Sequence, residues 1–198
     1  DGIFTAGITQ LEPQDVAYAR ELGYSIKHLG MARQTEAGVE LRVHPTLVPE
    51  RSLIAGVNGV SNAVMVNADA VGTTLFYGPG AGAEPTASSV IADVVDVARL
   101  MNSNADSWVP ALGRISSELK EQTLLNIQDV ETGFYIRFSA LDQPGVLSNV
   151  TKIMGDAGIS IEAIIQREQP AGESYVNVII LTNVTKEKCL DEAVERIE

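Results

Sequence analysis

A glycine-rich segment joins a strand-like run to a helical run, and it restricts the fold more than any other stretch of the chain. It reads Gly78-Pro79-Gly80-Ala81-Gly82 and lies between an apolar run at 73–77 and a helical pattern at 90–100. Glycine permits backbone turns and close approaches that a side chain would prevent. The proline and hydroxyl residues at 85–88 suit the first turn of a helix. The pattern predicts a strand–loop–helix unit.

Two interpretations of this loop follow from the residues alone. Free N–H groups and the helix dipole both favour an anion at a helix N-terminus, whereas a tight turn needs no ligand at all. The strict fingerprint G-x-G-x-x-G fails at Ala83, although the looser form that allows alanine is met by Gly78, Gly80 and Ala83. No acidic residue follows about 20 residues later, where a dinucleotide-binding unit carries one. Both interpretations therefore remain open.

The composition excludes several classes of partner. The 198 residues carry a net charge of −12, which disfavours nucleic acid and anionic membrane surfaces. No apolar run approaches the roughly 20 residues of a membrane span, so we expect a cytoplasmic protein. The single Cys189 excludes an internal disulfide, and His28 and His44 are too few for a metal cluster. Because no methionine opens the chain, we expect it to be a fragment.

Hydrophobic periodicity predicts an α+β region before residue 101. Lys27 and His28 fall in a strand and are interpreted as part of its solvated edge. Prolines at 45–49 are expected to interrupt the next strand. The predicted strands are part of 3–11, then 25–32, 39–43, 62–67 and 73–77, and the predicted helices are 11–23, 50–57 and 86–101.

The C-terminal pattern is strand–helix–strand–strand–helix. It consists of strands at 134–140, 159–167 and 174–182, with a turn at 169–172, and helices at 146–157 and 186–197. A further strand would complete a ferredoxin-like unit. The polar segment 102–132 between the two regions is predicted to be a linker, with Trp108 as a packing anchor.

The turn before the first C-terminal helix also has two interpretations. Asp142 would accept the ammonium of a small zwitterion, while N–H groups after Gly145 would receive its carboxylate. Alternatively, Asp142 caps the helix and Gly145 makes the turn. The residues alone do not separate these alternatives.

Two family resemblances add to these patterns. The glycine loop with Pro85-Thr86-Ala87-Ser88, together with residues 2–29 and 59–64, closely resembles homoserine dehydrogenases. The segments 142–147 and 156–161 resemble the ACT domain, a small ligand-sensing module. An ACT module behind such a loop is found in many bacterial homoserine dehydrogenases, so the two resemblances support each other.

The resemblance implies a division of the chain and an activity. Residues 1–101 would be the C-terminal part of a catalytic and dimerisation domain, 102–132 a linker, and 133–198 a ferredoxin-like βαββα(β) ACT domain whose last strand is missing. The family interconverts aspartate semialdehyde and homoserine with NAD or NADP, within threonine and methionine biosynthesis, and a homo-oligomer is expected. The competing hypothesis is a non-catalytic, amino-acid-binding regulatory or dimerisation protein.

The resemblance also implies site residues. The cofactor would lie against Gly80, Ala81 and Gly82, where a larger side chain would take its space, with Glu84 and Thr86 nearby. An amino-acid effector such as threonine would bind at Asp142, Gly145 and Val146. The family's acidic residues and catalytic lysine, in an Asp-x-x-x-Lys-like segment, would precede Asp1, so no catalytic residue is assigned and the fragment is expected to be inactive.

Overall fold

The structure is a computed structural model that describes residues 2–101, 113–167 and 174–198. Its helices and strands follow the predicted α+β pattern closely. In chain order they are β1 (Phe4–Thr5), α1 (Pro13–Glu21), β2 (Tyr24–Thr35), β3 (Gly38–Pro49), β4 (Ser61–Ala68), β5 (Gly72–Pro79), α2 (Ala83–Met101), β6 (Glu131–Thr132), β7 (Tyr135–Leu141), α3 (Val146–Asp156), β8 (Ile161–Gln166), β9 (Tyr175–Thr182), β10 (Thr185–Lys186) and α4 (Glu187–Ile197). Single 3₁₀ turns lie at Leu53–Gly56, Ser116–Glu118 and Ile127–Asp129.

Contacts within the chain define two compact units. The first comprises residues 1–21, 28–47 and 122–198, and the second comprises residues 22–27 and 48–121. This grouping differs from the division at 101 and 133 expected from the sequence, because the first unit includes the N-terminal helix as well as the C-terminal region. The predicted domain boundaries remain a prediction.

In the first unit, β1, β3 and β2 form a sheet in that order. β1 runs parallel to β3, with Phe4 opposite Arg42 and Thr5 opposite Val43. The predicted interruption of β3 at 45–49 is wrong, because the strand continues to Pro49. The restricted φ of proline is compatible with an extended strand, and its missing N–H is tolerated on a side where no strand is paired with it. Pairing with β1 stops at Val43, so Pro45 lies beyond it.

The C-terminal part of this unit confirms the predicted βαββα order. β7, β9 and β8 form an antiparallel sheet with β9 in the centre. β9 is buried along most of its length because its residues pack on both faces. On one face lies a hydrophobic core to which β9, α3, α4 and the segment before β8 contribute. Its buried residues are Val150, Met154, Ile159, Val176, Val178, Ile180, Leu190 and Ala193.

The last part of the predicted linker has regular pairing. The N–H of Val39 donates to Thr123 O at 2.8 Å, and the N–H of Leu125 donates to Val39 O at 2.9 Å. β6 pairs with β10 through Thr132 and Thr185. Two-residue pairings carry no periodic signal in the sequence, which is why they were not predicted. Trp108 and the predicted turn at 169–172 lie outside the described residues.

In the second unit, β4 and β5 form the predicted hairpin, in register from Ser61 opposite Pro79 to Ala68 opposite Gly72. α2 begins at Ala83, three residues before the predicted start, and none of its residues is buried. Val90, Val94 and Val97 share one helix face, as predicted, yet are 55%, 59% and 57% exposed. No helix in the described ranges is long and apolar enough to cross a membrane.

Candidate functional site

The glycine loop connects the end of β5 to the first turn of α2. The N–H of Gly80 donates to Val60 O at 3.0 Å, and the N–H of Thr86 donates to Gly82 O at 3.2 Å. Helical hydrogen bonding therefore starts from the carbonyl of Gly82. Gly80, Ala81, Gly82, Glu84 and Thr86 are all exposed. The five predicted cofactor-binding residues are thus brought together on an open surface at the N-terminus of a 19-residue helix.

Two of the glycines have a structural reason that requires no ligand. Gly82 has a φ of +121°, a conformation that other residues rarely adopt. A Cβ added to Gly80 would lie 1.4 Å from Asn62 Nδ2. The need for glycine at these two positions therefore has a structural reason in addition to the expected space for a ligand, and that expectation stays a prediction. Ala81 carries no such restriction, because no non-glycine residue of the described chain has a positive φ.

The loop has the chemistry of a site for an anionic group such as a phosphate. The first N–H groups of an α-helix have no partner within the helix and point outwards from its N-terminus, and small exposed residues precede α2 directly. A phosphate would accept hydrogen bonds from these groups and interact favourably with the helix dipole. The Glu84 carboxylate carries the same negative charge as a phosphate and would repel it, so we expect the backbone N–H groups around Ala81, and not the Glu84 carboxylate, to face an anion.

The turn at 142–146 lies between β7 and α3. Its backbone is held by the N–H of Asp142, which donates to Ser174 O at 3.2 Å, and by Gly145, which has a φ of +95° at the N-cap of α3. The described contacts include no hydrogen bond from α3 to the Asp142 carboxylate, so the capping interpretation of Asp142 is not supported. Asp142 and Gly145 are exposed, and Val146 is half-buried. The turn brings an exposed carboxylate close to the start of a helix.

A separate cavity of about 150 Å³ lies inside the ACT core. It is lined mainly by apolar side chains of β7, α3 and α4, including Phe138, Met154 and Ile197. Its lining includes neither Asp142 nor Gly145, and it offers few groups that would recognise a zwitterion. It is therefore distinct from the predicted effector site.

A buried carboxylate that sequence reasoning did not identify as a site lies on α1. Asp15 is 2% exposed. Its Oδ2 accepts from the N–H of Glu12 at 2.8 Å, and its Oδ1 accepts from Tyr135 Oη and Arg137 Nε, both at 2.7 Å. Arg137 also lies 3.0 Å from Glu12 Oε1. The sequence indicated only that Asp15 complements the dipole of α1, because its partners lie 120 and 122 residues away.

The surroundings of Asp15 shift two titrating groups in opposite directions. Burial raises the pKa of Asp15, but the hydrogen bonds from Glu12, Tyr135 and Arg137 and the charge of Arg137 outweigh it, so the pKa lies below its ordinary value of 3.8. Burial and the adjacent Asp15 carboxylate raise the pKa of Tyr135. The cluster is therefore a carboxylate held ionised by a neutral phenol and a guanidinium.

Lys27 lies in β2, the outer strand of its sheet, and makes two specific contacts. It is half-buried, and its Nζ donates to Val57 O at 2.6 Å and to Asn58 Oδ1 at 2.8 Å. Its ammonium group therefore secures the segment that precedes β4, which the sequence interpretation as part of a solvated edge did not include. His28 is exposed and lies 3.1 Å from Ala6 O. In the described part of the chain no three acidic, histidine or cysteine side chains are grouped as metal ligands.

Comparison with known proteins gives two family matches. Residues 1–95 match the homoserine dehydrogenase family model, and residues 134–198 match the ACT domain model. The homoserine dehydrogenase of Pseudomonas aeruginosa is 50% identical over 198 residues, which are 100% of this chain and 46% of that protein. That of Neisseria gonorrhoeae is 45% identical over 195 residues, which are 98% of this chain and 45% of that protein.

A solved structure shows the same fold. The crystal structure of a homoserine dehydrogenase from Thiobacillus denitrificans matches with a TM-score of 0.88 and 50% identity, and the match covers 100% of this chain and 44% of that one. The chain therefore spans under half the length of the relatives that it matches.

Proposed function

Since the chain belongs to the homoserine dehydrogenase family, we propose that it is the C-terminal part of an enzyme that interconverts aspartate semialdehyde and homoserine with NAD or NADP. The observation that carries this proposal is the agreement of 50% of its residues with a homoserine dehydrogenase along the whole chain. The enzyme would act in the cytoplasm, within threonine and methionine biosynthesis, as a homo-oligomer. The 198 residues alone would not turn over substrate.

The proposed role of the loop is to bind the nicotinamide cofactor. Ala81 and the open backbone of Gly80 and Gly82 would allow the cofactor to approach, and the N–H groups that begin α2 would donate to its phosphate oxygens. Glu84 and Thr86, in the first turn of the helix, would lie at the edge of this contact. The cofactor supplies the hydride, and the contribution of this loop is to orient it.

Steady-state kinetics of the full gene product test this proposal. We expect oxidation of NADH or NADPH that depends on aspartate semialdehyde. Ala81→Val, which the backbone tolerates, is expected to raise the KM for the cofactor about tenfold, which corresponds to about 1.4 kcal/mol of lost binding. Ala70→Val, at an exposed position in the β4–β5 turn, is the matched control and is expected to leave KM unchanged.

Two results would contradict the proposal. No turnover with either nicotinamide would favour the non-catalytic regulatory protein instead, as would a gene that encodes no dinucleotide-binding segment before Asp1. Normal kinetics of Ala81→Val would remove the loop from the cofactor site but would leave the activity assigned.

The proposed role of the ACT turn is to bind an amino acid such as threonine. The Asp142 carboxylate would accept hydrogen bonds from the ammonium group. The N–H groups directly after Val146 would donate to the ligand carboxylate, since the N–H of Val146 itself donates to Gln143 O at 3.4 Å. Calorimetric titration of the full gene product with threonine and with methionine tests this role. Asp142→Ala is expected to abolish the heat of binding, whereas Glu192→Ala, an exposed carboxylate on α4, is expected to preserve it. Absence of heat with both amino acids would leave the module a purely structural role.

A further inference from the structure

The cluster around Asp15 is a buried ionic contact to which neither the proposed catalysis nor the proposed ligand sites assign a role. We propose that Asp15 is the positioning residue that couples the ACT sheet to α1, so that an amino acid bound at the Asp142–Val146 turn acts on α1 through β7. This inference rests on the proposed function of that turn. Three observations support it. α1 lies on the face of the sheet opposite to α3 and α4, the contact with Asp15 is the most buried polar contact on that face, and β7 leads directly to the turn.

The sheet has different partners on its two faces. Ile136 and Phe138 pack against the core that includes α3 and α4. Successive side chains of a strand point to opposite faces, so Tyr135 and Arg137 lie on the other face, where they contact Asp15 of α1. α1 therefore lies against the sheet face that α3 and α4 leave open.

Other contacts show that α1 spans this face of the sheet. Asn177 of β9 donates to Gln14 Oε1 at 3.3 Å. Arg167, directly after β8, forms an ion pair with Glu21 and lies 5.0 Å from the centre of the Tyr18 ring. Tyr18 and the adjacent Ala19 are buried. The first and last turns of α1 thus contact different strands of the same sheet.

Among these polar contacts, the one with Asp15 is the most buried. The side chains of Arg167 and Glu21 are 57% and 45% exposed, so their ion pair contributes little. The Asp15 side chain is 3% exposed and that of Arg137 is 22% exposed, and charge-assisted hydrogen bonds with little access to water are stronger. Removing the carboxylate charge would leave Arg137 without its main partner, so this contact determines how β7 sits on α1.

The same strand leads directly to the proposed effector turn. β7 ends at Leu141, and Asp142 follows it. The strand is paired with β9 along its full length, from Tyr135 opposite Leu181 to Leu141 opposite Tyr175. A ligand that prefers one position of the turn would shift this paired strand, and the bonds to Asp15 would pass the shift to α1. Such a differential contact is what coupling between two sites requires.

The test compares threonine binding with threonine control in the full gene product. Asp15→Asn keeps the size of the side chain and removes its charge, and Glu21→Gln removes the charge of the exposed pair on the same helix. We expect Asp15→Asn to bind threonine within about threefold of the native protein. In a coupled system one ligand changes the affinity for another by about 5- to 150-fold. We expect threonine to change the dissociation constant of the cofactor by such a factor in the native protein, and we expect this factor to fall towards one in Asp15→Asn.

Glu21→Gln is expected to keep the full factor. Tyr135→Phe removes one of the bonds to Asp15 while leaving the pair with Arg137, so it is expected to give an intermediate factor; it also serves if Asp15→Asn does not fold. A purely structural role would change stability and leave the ratio of cofactor dissociation constants with and without threonine intact.

The outcomes separate the two levels of the proposal. Native coupling in Asp15→Asn and Tyr135→Phe would overturn the role of Asp15 and would leave the effector site standing. No binding of threonine or methionine to the native protein would overturn the effector site and, with it, this inference.

Discussion

Two helical regions of the molecule have similar apolar patterns but very different burial. α2 is 19 residues long, carries valines along one face and has no buried residue. α3 and α4 are each 11 residues long, and each buries side chains against the sheet of β7, β9 and β8. The difference shows that the amphipathic pattern determines which face of a helix is apolar. Whether that face becomes buried depends on a sheet that packs against it.

The contrast extends to the hairpin that precedes α2. Val64 and Phe76, paired across β4 and β5, are both 63% exposed, whereas Ile180 on β9 is fully buried. Exposed apolar surface is typical of interaction sites. The described side chains of the second unit leave these apolar residues exposed, whereas the sheet of β7, β9 and β8 in the first unit packs against α3 and α4.

Truncating one apolar residue in each region is the strongest way to test this contrast. Ile180→Ala creates a cavity at a fully buried position and is expected to lower the free energy of unfolding by about 2–5 kcal/mol. Val94→Ala in α2, at a position 59% exposed, is expected to change it by less than about 0.5 kcal/mol. Urea unfolding of the 198-residue chain measures both values. Equal losses would show that α2 is covered in solution.

Gly80 and Gly82 of the loop allow a second comparison, within the second unit. Gly82→Ala forces a side chain onto a φ of +121° and is expected to cost about 1–3 kcal/mol. Gly80→Ala has only to displace the exposed Asn62 side chain and is expected to cost less than about 1 kcal/mol. Amide hydrogen exchange of the residues that begin α2 is the measurement. A larger loss of protection in Gly80→Ala would contradict the structural reason given for Gly82.

Acidification tests the contribution of Asp15 to the stability of the first unit. The change in stability is expected to be smaller than those of the substitutions above, because burial of the carboxylate offsets part of what its hydrogen bonds contribute. The pKa of Asp15 is lowered from 3.8, so its contribution to stability is present above that value and is lost as the pH falls below it. Unfolding at pH values from 6 to below 3.8 compares the native chain with Asp15→Asn. The native chain is expected to lose more stability on acidification. Parallel pH profiles would contradict the role of the carboxylate charge.

Much of the fold followed from local patterns. The hairpin of β4 and β5, the helix after the glycine loop and the βαββα order could be predicted because apolar periodicity, turn residues and glycine positions act over a few neighbouring residues. The family could likewise be identified from short segments around Gly80 and Gly145. For the candidate sites, sequence reasoning named which residues are near one another in the loop and in the ACT turn, since those neighbours are adjacent in the chain.

The remaining features depended on contacts between distant residues. The sequence by itself determined the helix that contains Asp15, but only the tertiary structure placed Tyr135 and Arg137 against it. The same is true of the partners of Lys27 and of the continuation of β3 through Pro45, which lies beyond the end of the pairing with β1. Periodicity specifies which face of an element is apolar; the identity of the opposing element is decided by packing, because the free energy of a buried charge or an uncovered valine depends on what lies across from it.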